Sequence, residues 1–191
     1  MRFDRKRVFA LLLALSSTPA LAAEMNAGVV HFTGEIIEPS CEIKGDDGHD
    51  STVPLGTYPT SSFKKTGDES TLVPFAIALE DCPVTSDGLA AIQLTFNAPT
   101  VLTNSATLMD VSKITTAGET AATGVGIAIS PDGKDTTLLK LDGSEGQVYV
   151  PLSSMANDTL TSNFNARYKS FADKVTAGPA DGDLTVNILY R

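Results

Sequence analysis

The chain has 191 residues, no tryptophan and a formal net charge of −9. Basic residues are concentrated at its amino terminus, and removal of residues 1–22 takes away four basic and one acidic side chain, which lowers the charge to −12. A surface this acidic repels polyphosphates and anionic lipids, which argues against nucleic acid and anionic membranes as partners.

The first segment, residues 1–22, has the pattern of a secretory signal peptide. Basic side chains precede a short apolar run, and the small-x-small sequence ALA follows at residues 20–22. The apolar run is too short to span a bilayer, so an uncleaved membrane anchor is the weaker alternative. We expect cleavage after Ala22 or after Ala23, and the remaining chain is long enough for one domain with a substantial core.

The segment that follows the cleavage site alternates like a β-strand but is not followed by a turn. Four residues share one face of this strand: Asn26, Gly28, Val30 and Phe32. Burial of Val30 and Phe32 would each contribute about 1.5–3 kcal/mol, whereas burial of an unpaired His31 on the other face costs free energy. The first face is therefore the one expected to be buried. Periodicity alone also allows residues 26–34 to form the first strand of their own domain.

The rest of the chain predicts short β-strands separated by turns. Turn sequences such as KGDDGHD, TSDG and SPDGKD recur at short intervals. The strand-like runs are, in chain order, EIIEPSCEI, STVPLG, LVPFAIAL, AAIQLTF, GVGIAIS, QVYVPL, FNARYKSF and DLTVNILY. Short strands at this spacing, without a βαβ pattern, predict a single all-β antiparallel sandwich.

The chain contains two cysteines, Cys41 and Cys82. In an exported protein a disulfide between them is the expected state, and it contributes about 4 kcal/mol in the chain-entropy description. Two free thiols and a zinc site are the weaker alternatives. A zinc site would need His31 and His49, which do not have ligand-like spacing.

No catalytic motif is present in the sequence. It contains no G-x-S-x-G, H-E-x-x-H or G-x-x-x-x-G-K-[ST]. The lone G-x-G of GVGI, at residues 124–127, lies in an apolar run, which favours strand glycines over a phosphate loop. The acidic loops at 45–50 and 131–135 lack the ligand spacing of a calcium loop. We therefore expect no enzymatic activity, no metal and no cofactor. Calcium bound by the acidic loops and a secreted hydrolase that uses paired carboxylates are the weaker alternatives.

Seven short motifs follow one another along the chain after residue 22. They are GVVHFTGEIIEPSC, VPLG, FAIALEDC, GVGIAI, FNARY, a glycine at the fourteenth position from the carboxy terminus (Gly178) and a penultimate aromatic residue (Tyr190). In this combination and order they resemble the pilin subunits of the chaperone–usher pathway, closest to type 1 fimbrial structural subunits. The resemblance covers the whole chain after the signal peptide.

The resemblance implies an incomplete immunoglobulin-like antiparallel sandwich that lacks its last strand and is completed by a donor strand from a neighbouring subunit. A missing strand leaves an exposed groove and an unpaired edge, which promotes aggregation. By resemblance, a periplasmic chaperone lends a strand to the groove, and the outer-membrane usher guides its exchange for the extension of the next subunit. The domains expected are a signal peptide (1–22), a donor-strand extension (23–34) and a pilin domain (35–191).

The resemblance also assigns roles to individual residues. The donor strand presents Asn26, Gly28, Val30 and Phe32, and Gly28 lets the donor pass a shallow part of the groove. The acceptor groove, which chaperone and usher also recognise, is expected along Leu184, Val186, Ile188 and Tyr190, with Gly178 at its approach. The chain departs from the family in two features. The pocket of the groove that receives the amino-terminal part of the donor strand would meet Asn26 or Glu24 rather than a large apolar side chain. The terminal residue, Arg191, is basic.

The function expected from this resemblance is that of a structural subunit of an adhesive surface fimbria. Such a subunit is exported through the periplasm, polymerises head-to-tail by donor-strand exchange and ends in the extracellular fimbrium. A minor adaptor subunit and a receptor-binding fimbrial subunit are the alternatives. The lack of tryptophan and the presence of only four tyrosines make a stacking carbohydrate site the less expected choice.

Overall fold

The structure, a computed structural model, describes residues 28–34, 36–38, 40–45, 50–112 and 120–191. The expected signal peptide, its cleavage site, Asn26 and His49 lie outside these residues. The chain divides into two units, one up to Thr33 and one from Gly34 to Arg191. In the first unit, residues 28–33 form no regular strand. No helix within the described ranges has the length and apolar character needed to cross a membrane.

The second unit is an antiparallel β-sandwich. Its described residues form β1 (Glu42–Ile43), β2 (Val73–Glu80), β3 (Ala91–Asn97), β4 (Met109–Asp110), β5 (Val125–Pro131), β6 (Val148–Pro151), β7 (Leu160–Ser170) and β8 (Thr185–Tyr190). One sheet has the order β1-β2-β7-β5-β4 and the other the order β6-β3-β8. All of these pairings are antiparallel, and the only helical element in the described part is a 3-10 turn at Thr60–Ser62. The prediction of an all-β antiparallel sandwich is confirmed.

The core lies between the two sheets and is built mainly from apolar residues of the long strands. Ile92, Leu94 and Phe96 of β3 are fully buried, because the inner face of β3 packs against the other sheet. Phe164 of β7 connects the sheets: its ring stacks on that of Phe75 at 5.5 Å and meets that of Phe96 edge-on at 5.8 Å. Gln93 and Thr95, which lie between these residues, are buried as well, so both faces of β3 are covered.

Two predicted strands differ from the structure. STVPLG forms no strand, because Pro54 has no N–H to donate and Gly56 has φ +88°, which is incompatible with a ladder. Of the described residues in EIIEPSCEI, only the last two belong to β1. Of the two glycines in GVGI, Gly126 lies in β5 as predicted, whereas Gly124 lies in the bend just before the strand. A Cβ at Gly124, where φ is +79°, would collide with the carbonyl oxygen of Lys174.

The sandwich has two distinct ends. At the disulfide end, Cys41 is bonded to Cys82, and the loops 83–90 and 152–159 are joined by a hydrogen bond from Thr85 N to Ser153 O of 2.9 Å. At the far end, β3 and β7 lead into the loops 98–108 and 171–180. Both of these loops lie by the start of β5, since Met109 pairs with Ile127 and Phe171 N donates to Gly124 O.

Candidate functional site: the open edge of β8

β8 is an edge strand. In the described part of the chain it pairs only with β3, and it occupies one end of the sheet order β6-β3-β8. The register places three cross-strand pairs on the inner face: Ile92 with Tyr190, Leu94 with Ile188 and Phe96 with Val186. β8, the strand nearest the carboxy terminus, therefore forms one edge of the sandwich core.

The inward side chains of β8 are less covered than their partners on β3. Val186, Ile188 and Tyr190 are half-buried and pack against the core cluster, as Leu184 does just before the strand. Their β3 partners are completely buried. The four residues expected to line the groove thus lie together along one edge, where apolar core surface remains open to solvent.

The backbone of β8 also presents hydrogen-bonding groups at this edge. Ala91 and Arg191 exchange two hydrogen bonds, of 2.9 and 3.2 Å, which makes them a hydrogen-bonded pair of the antiparallel ladder. Because such pairs alternate with non-bonded ones, the amides of Val186, Ile188 and Tyr190 are directed away from β3. Backbone groups that no described strand pairs, beside a row of apolar side chains, form a template for the addition of a further strand.

The end of β8 is attached to the start of the sandwich. Cys41 N donates a 3.0 Å hydrogen bond to Tyr190 Oη, and the predicted Cys41–Cys82 disulfide is present. The exposed guanidinium of Arg191, the basic terminal residue, pairs with the Glu145 carboxylate at 2.5 Å. These contacts hold the carboxy-terminal strand in place although its other edge is open.

Gly178 lies at the far end, upstream of β8. A Cβ there would collide with the carbonyl oxygen of Thr120 and lie 2.7 Å from Ala122 N, so only glycine allows this close approach of two backbone segments. The residue lines a cavity of about 340 Å³ whose apolar wall includes Tyr58, Phe63, Val125, Tyr168 and Val175. The sequence identified Gly178 by its distance from the terminus but gave no sign of this cavity, because Tyr58 and Phe63 lie outside the strands.

One tyrosine of this cavity is held by its hydroxyl group. Tyr168 Oη donates to Ala180 O at 3.0 Å, and its ring contacts that of Tyr58 edge-on. Burial raises the pKa of Tyr168, and the nearby carboxylate of Asp181 and the Tyr58 hydroxyl act in the same direction. The phenol is therefore neutral at physiological pH and serves to hold residues 178–181 against the sandwich.

The described part of the expected donor strand is exposed. Val30 and Phe32 are 76% and 93% exposed, and Val29 on the other face is also exposed. Single exposed apolar residues are common, but Val30 and Phe32 together expose two large apolar side chains two positions apart.

The acidic loop at residues 131–135 is occupied by internal hydrogen bonds. Asn165 Nδ2 donates to Asp132 Oδ1 at 3.2 Å and to Asp135 Oδ1 at 2.9 Å. Within the described ranges, no group of three or more His, Cys, Asp or Glu side chains is arranged to hold a metal ion. The carboxylates of this loop thus serve to fix the loop on β7.

The chain is similar in sequence to fimbrial proteins. A family model described as fimbrial protein matches residues 30–191. The type 1 fimbrial protein subunit of Serratia marcescens is 38% identical over 183 residues, with 95% of each chain covered. The long polar fimbria protein A of Salmonella typhimurium is 35% identical over 188 residues, with 98% of this chain and 97% of that protein covered.

A solved pilus subunit structure has a similar fold. The crystal structure of the P pilus rod subunit PapA superposes with a TM-score of 0.59 at 19% identity and covers 80% of this chain and 99% of that one. The fold and its open edge define a pilin, an immunoglobulin-like sandwich that lacks its last strand. The chain belongs to the fimbrial protein family. It is a structural subunit of surface fimbriae, and its neighbours in the fibre are other fimbrial subunits.

Proposed function

We propose that this subunit polymerises by donor-strand exchange, with residues 23–34 of one subunit occupying the groove along β8 of another. The observation that carries the proposal is a match between two surfaces of the same chain. β8 offers edge-directed amides and half-buried apolar side chains, while Val30 and Phe32 are exposed. Main-chain hydrogen bonds then supply affinity, and alternate side chains supply specificity.

The expected direction of the donor strand is antiparallel to β8. Every strand pair in both described sheets is antiparallel, so an added strand of the same kind extends the pattern. In this register Val30 and Phe32 face the core, and their burial contributes about 1.5–3 kcal/mol each. Donor and acceptor surfaces differ, which makes the contact heterologous, and its repetition generates a fibre rather than a closed ring.

The remaining steps of the proposal concern delivery to the fibre. A signal peptide, cleaved after Ala22 or Ala23, exports the chain to the periplasm. There a chaperone covers the β8 edge until the usher guides the replacement of the chaperone's strand by the extension of the next subunit. An uncovered edge strand with adjacent apolar surface would otherwise aggregate, which is the physical reason for a chaperone. The pairing of Arg191 with Glu145 supports this step, because it neutralises the basic side chain beside the terminal carboxylate.

Complementation of the truncated domain by a peptide tests the proposal. The chain is truncated before Glu35 and refolded in its oxidised form, and its Tm is measured with and without a synthetic peptide spanning Ala23 to Gly34. At a free peptide concentration of about 100 Kd, binding adds about 2.7 kcal/mol, which corresponds to a Tm rise of about 5–10 °C for a domain of this size.

Two peptide variants serve as a matched pair. Phe32→Asp lies on the face expected to be buried and abolishes the rise in Tm, whereas Val29→Asp lies on the other face and leaves most of it. If the truncated domain is a stable monomer whose Tm no peptide raises, the sandwich is self-contained and the proposal fails. If both variants reduce the rise in Tm equally, the prediction of which face of the donor strand is buried is wrong.

A further inference from the structure

Two exposed apolar patches lie at opposite ends of the sandwich. At the far end, the loop after β3 exposes Val101 and Leu102, which are 85% and 70% exposed. At the disulfide end, Val84 and Met155 are 45% and 68% exposed. The hydrogen bond from Thr85 N to Ser153 O brings the loops of Val84 and Met155 together.

The far-end loop is held in one conformation although its tip is apolar. The buried carboxylate of Asp110 accepts hydrogen bonds from Leu102 N at 3.0 Å and Thr103 N at 2.9 Å. Thr103 Oγ1 donates to Leu108 O at 2.7 Å, and Asp110 N donates to Pro99 O at 2.7 Å. A buried carboxylate thus fixes the backbone that presents Val101 and Leu102. A rigid loop loses little conformational entropy when it binds, so this loop is pre-organised for contact.

The proposed polymer brings these two ends together. A donor strand antiparallel to β8 has its amino terminus beside Tyr190 and its carboxyl end beside Thr185, at the far end of the acceptor. The donor chain then enters its own sandwich at Cys41, which lies at its disulfide end. The disulfide end of one subunit therefore faces the far end of the next.

We propose that the loop carrying Val101 and Leu102 docks on the Val84–Met155 patch of the adjacent copy of this chain, as a second contact beside the exchanged strand. The inference rests on the function proposed above, since donor-strand exchange sets which ends meet. The occupant is a second copy because the two patches are apolar, lie at opposite ends and face one another along the fibre. Such a head-to-tail contact can repeat without closing.

Photo-cross-linking of assembled fibres tests this contact. Leu102 is replaced by p-benzoylphenylalanine in the full chain, fibres are isolated and irradiated, and the linked peptides are mapped by mass spectrometry. We expect covalent dimers in which the probe is attached to Met155 or Val84 of another subunit. The matched control places the probe at Tyr149, which is also exposed but lies in β6, and it should give no link to Met155 or Val84. Fibres whose probe at Leu102 links to other residues, or to none, overturn the inference.

A charge substitution separates this contact from strand exchange. Leu102→Glu should shorten fibres several-fold, while the stabilisation of the corresponding truncated domain by the 23–34 peptide stays at the wild-type value. Met155→Glu should act in the same way from the other side. Normal fibre length in both variants would overturn the docking contact but not donor-strand exchange. Failure of the peptide to stabilise any form of the domain would overturn both.

Discussion

Gly178 was identified in the sequence by its position alone, and the structure shows why a glycine is needed there. Its distance from the carboxy terminus marked it in the sequence as part of a family motif. In the fold its Cα lies against the backbone of residues 120–122, where a side chain has no space. The glycine thus allows the segment before β8 to pack closely at the far end, which sets where the strand begins.

Replacement of Gly178 by alanine is expected to destabilise the sandwich by about 2–5 kcal/mol, from backbone strain and overpacking together. The matched control is Gly133→Ala: Gly133 also has a positive φ, of +71°, but open space around its Cβ position, so only about 1–2 kcal/mol is expected. Urea unfolding of the two refolded variants measures the difference. Equal midpoints would contradict the close approach at Gly178.

Tyr190 shows the limit of sequence reasoning at the same scale. Its penultimate position and the alternation of LTVNILY predicted an inward-facing aromatic residue, and the ring does pack against the core. The hydrogen bond that Cys41 N donates to its hydroxyl group connects residues 149 positions apart. No local pattern encodes such a contact, because it depends on how the first and last strands meet.

Among the elements, β8 has two edges with different hydrogen-bonding states. The amides of Asn187 and Leu189 are directed at β3, and those of Val186 and Ile188 at the open edge, as the alternation from the Ala91–Arg191 pair requires. The truncated domain without peptide should therefore exchange the Val186 and Ile188 amide hydrogens rapidly and those of Asn187 and Leu189 slowly.

Addition of the 23–34 peptide should slow hydrogen exchange at Val186 and Ile188 by at least about tenfold, because carbonyl groups of the donor strand would accept hydrogen bonds from these amides. Asn187 and Leu189 serve as internal controls for a change in global stability. NMR-detected exchange resolves the individual amides. Uniform slowing of all four would indicate general stabilisation without strand addition at this edge.

Most strands of the sandwich could be predicted, but not how they pair. The predicted runs overlap β2, β3, β5, β6, β7 and β8 because alternate positions along them are apolar, although β7 begins four residues before the run FNARYKSF. β4 was missed, since its two residues lie in a loop region and include a buried aspartate, Asp110. The order β1-β2-β7-β5-β4 joins strands far apart in sequence, and alternation carries no information on such partners.

On the scale of the whole molecule, the sandwich is stabilised by a core that one sheet leaves partly open. The half-buried side chains of β8 lack the cover that a complete sandwich would give them, so the isolated domain has less stabilisation than its size allows. The Cys41–Cys82 disulfide offsets part of this deficit, because it restricts the unfolded chain over a separation of 41 residues. The disulfide and the donor strand therefore stabilise the same folded state by independent means.

Removal of the disulfide should make folding depend on the donor strand. In the truncated domain, the double substitution Cys41→Ser with Cys82→Ser removes about 4 kcal/mol of stability, which is a large part of the total for a domain of this kind. Without peptide the variant should be substantially unfolded at 25 °C, and saturating 23–34 peptide should restore folding by mass action. Circular dichroism with and without peptide measures this, with the reduced wild-type domain as the control for the substitutions themselves. A variant that folds fully without peptide would show that the sandwich does not need the missing strand for its stability.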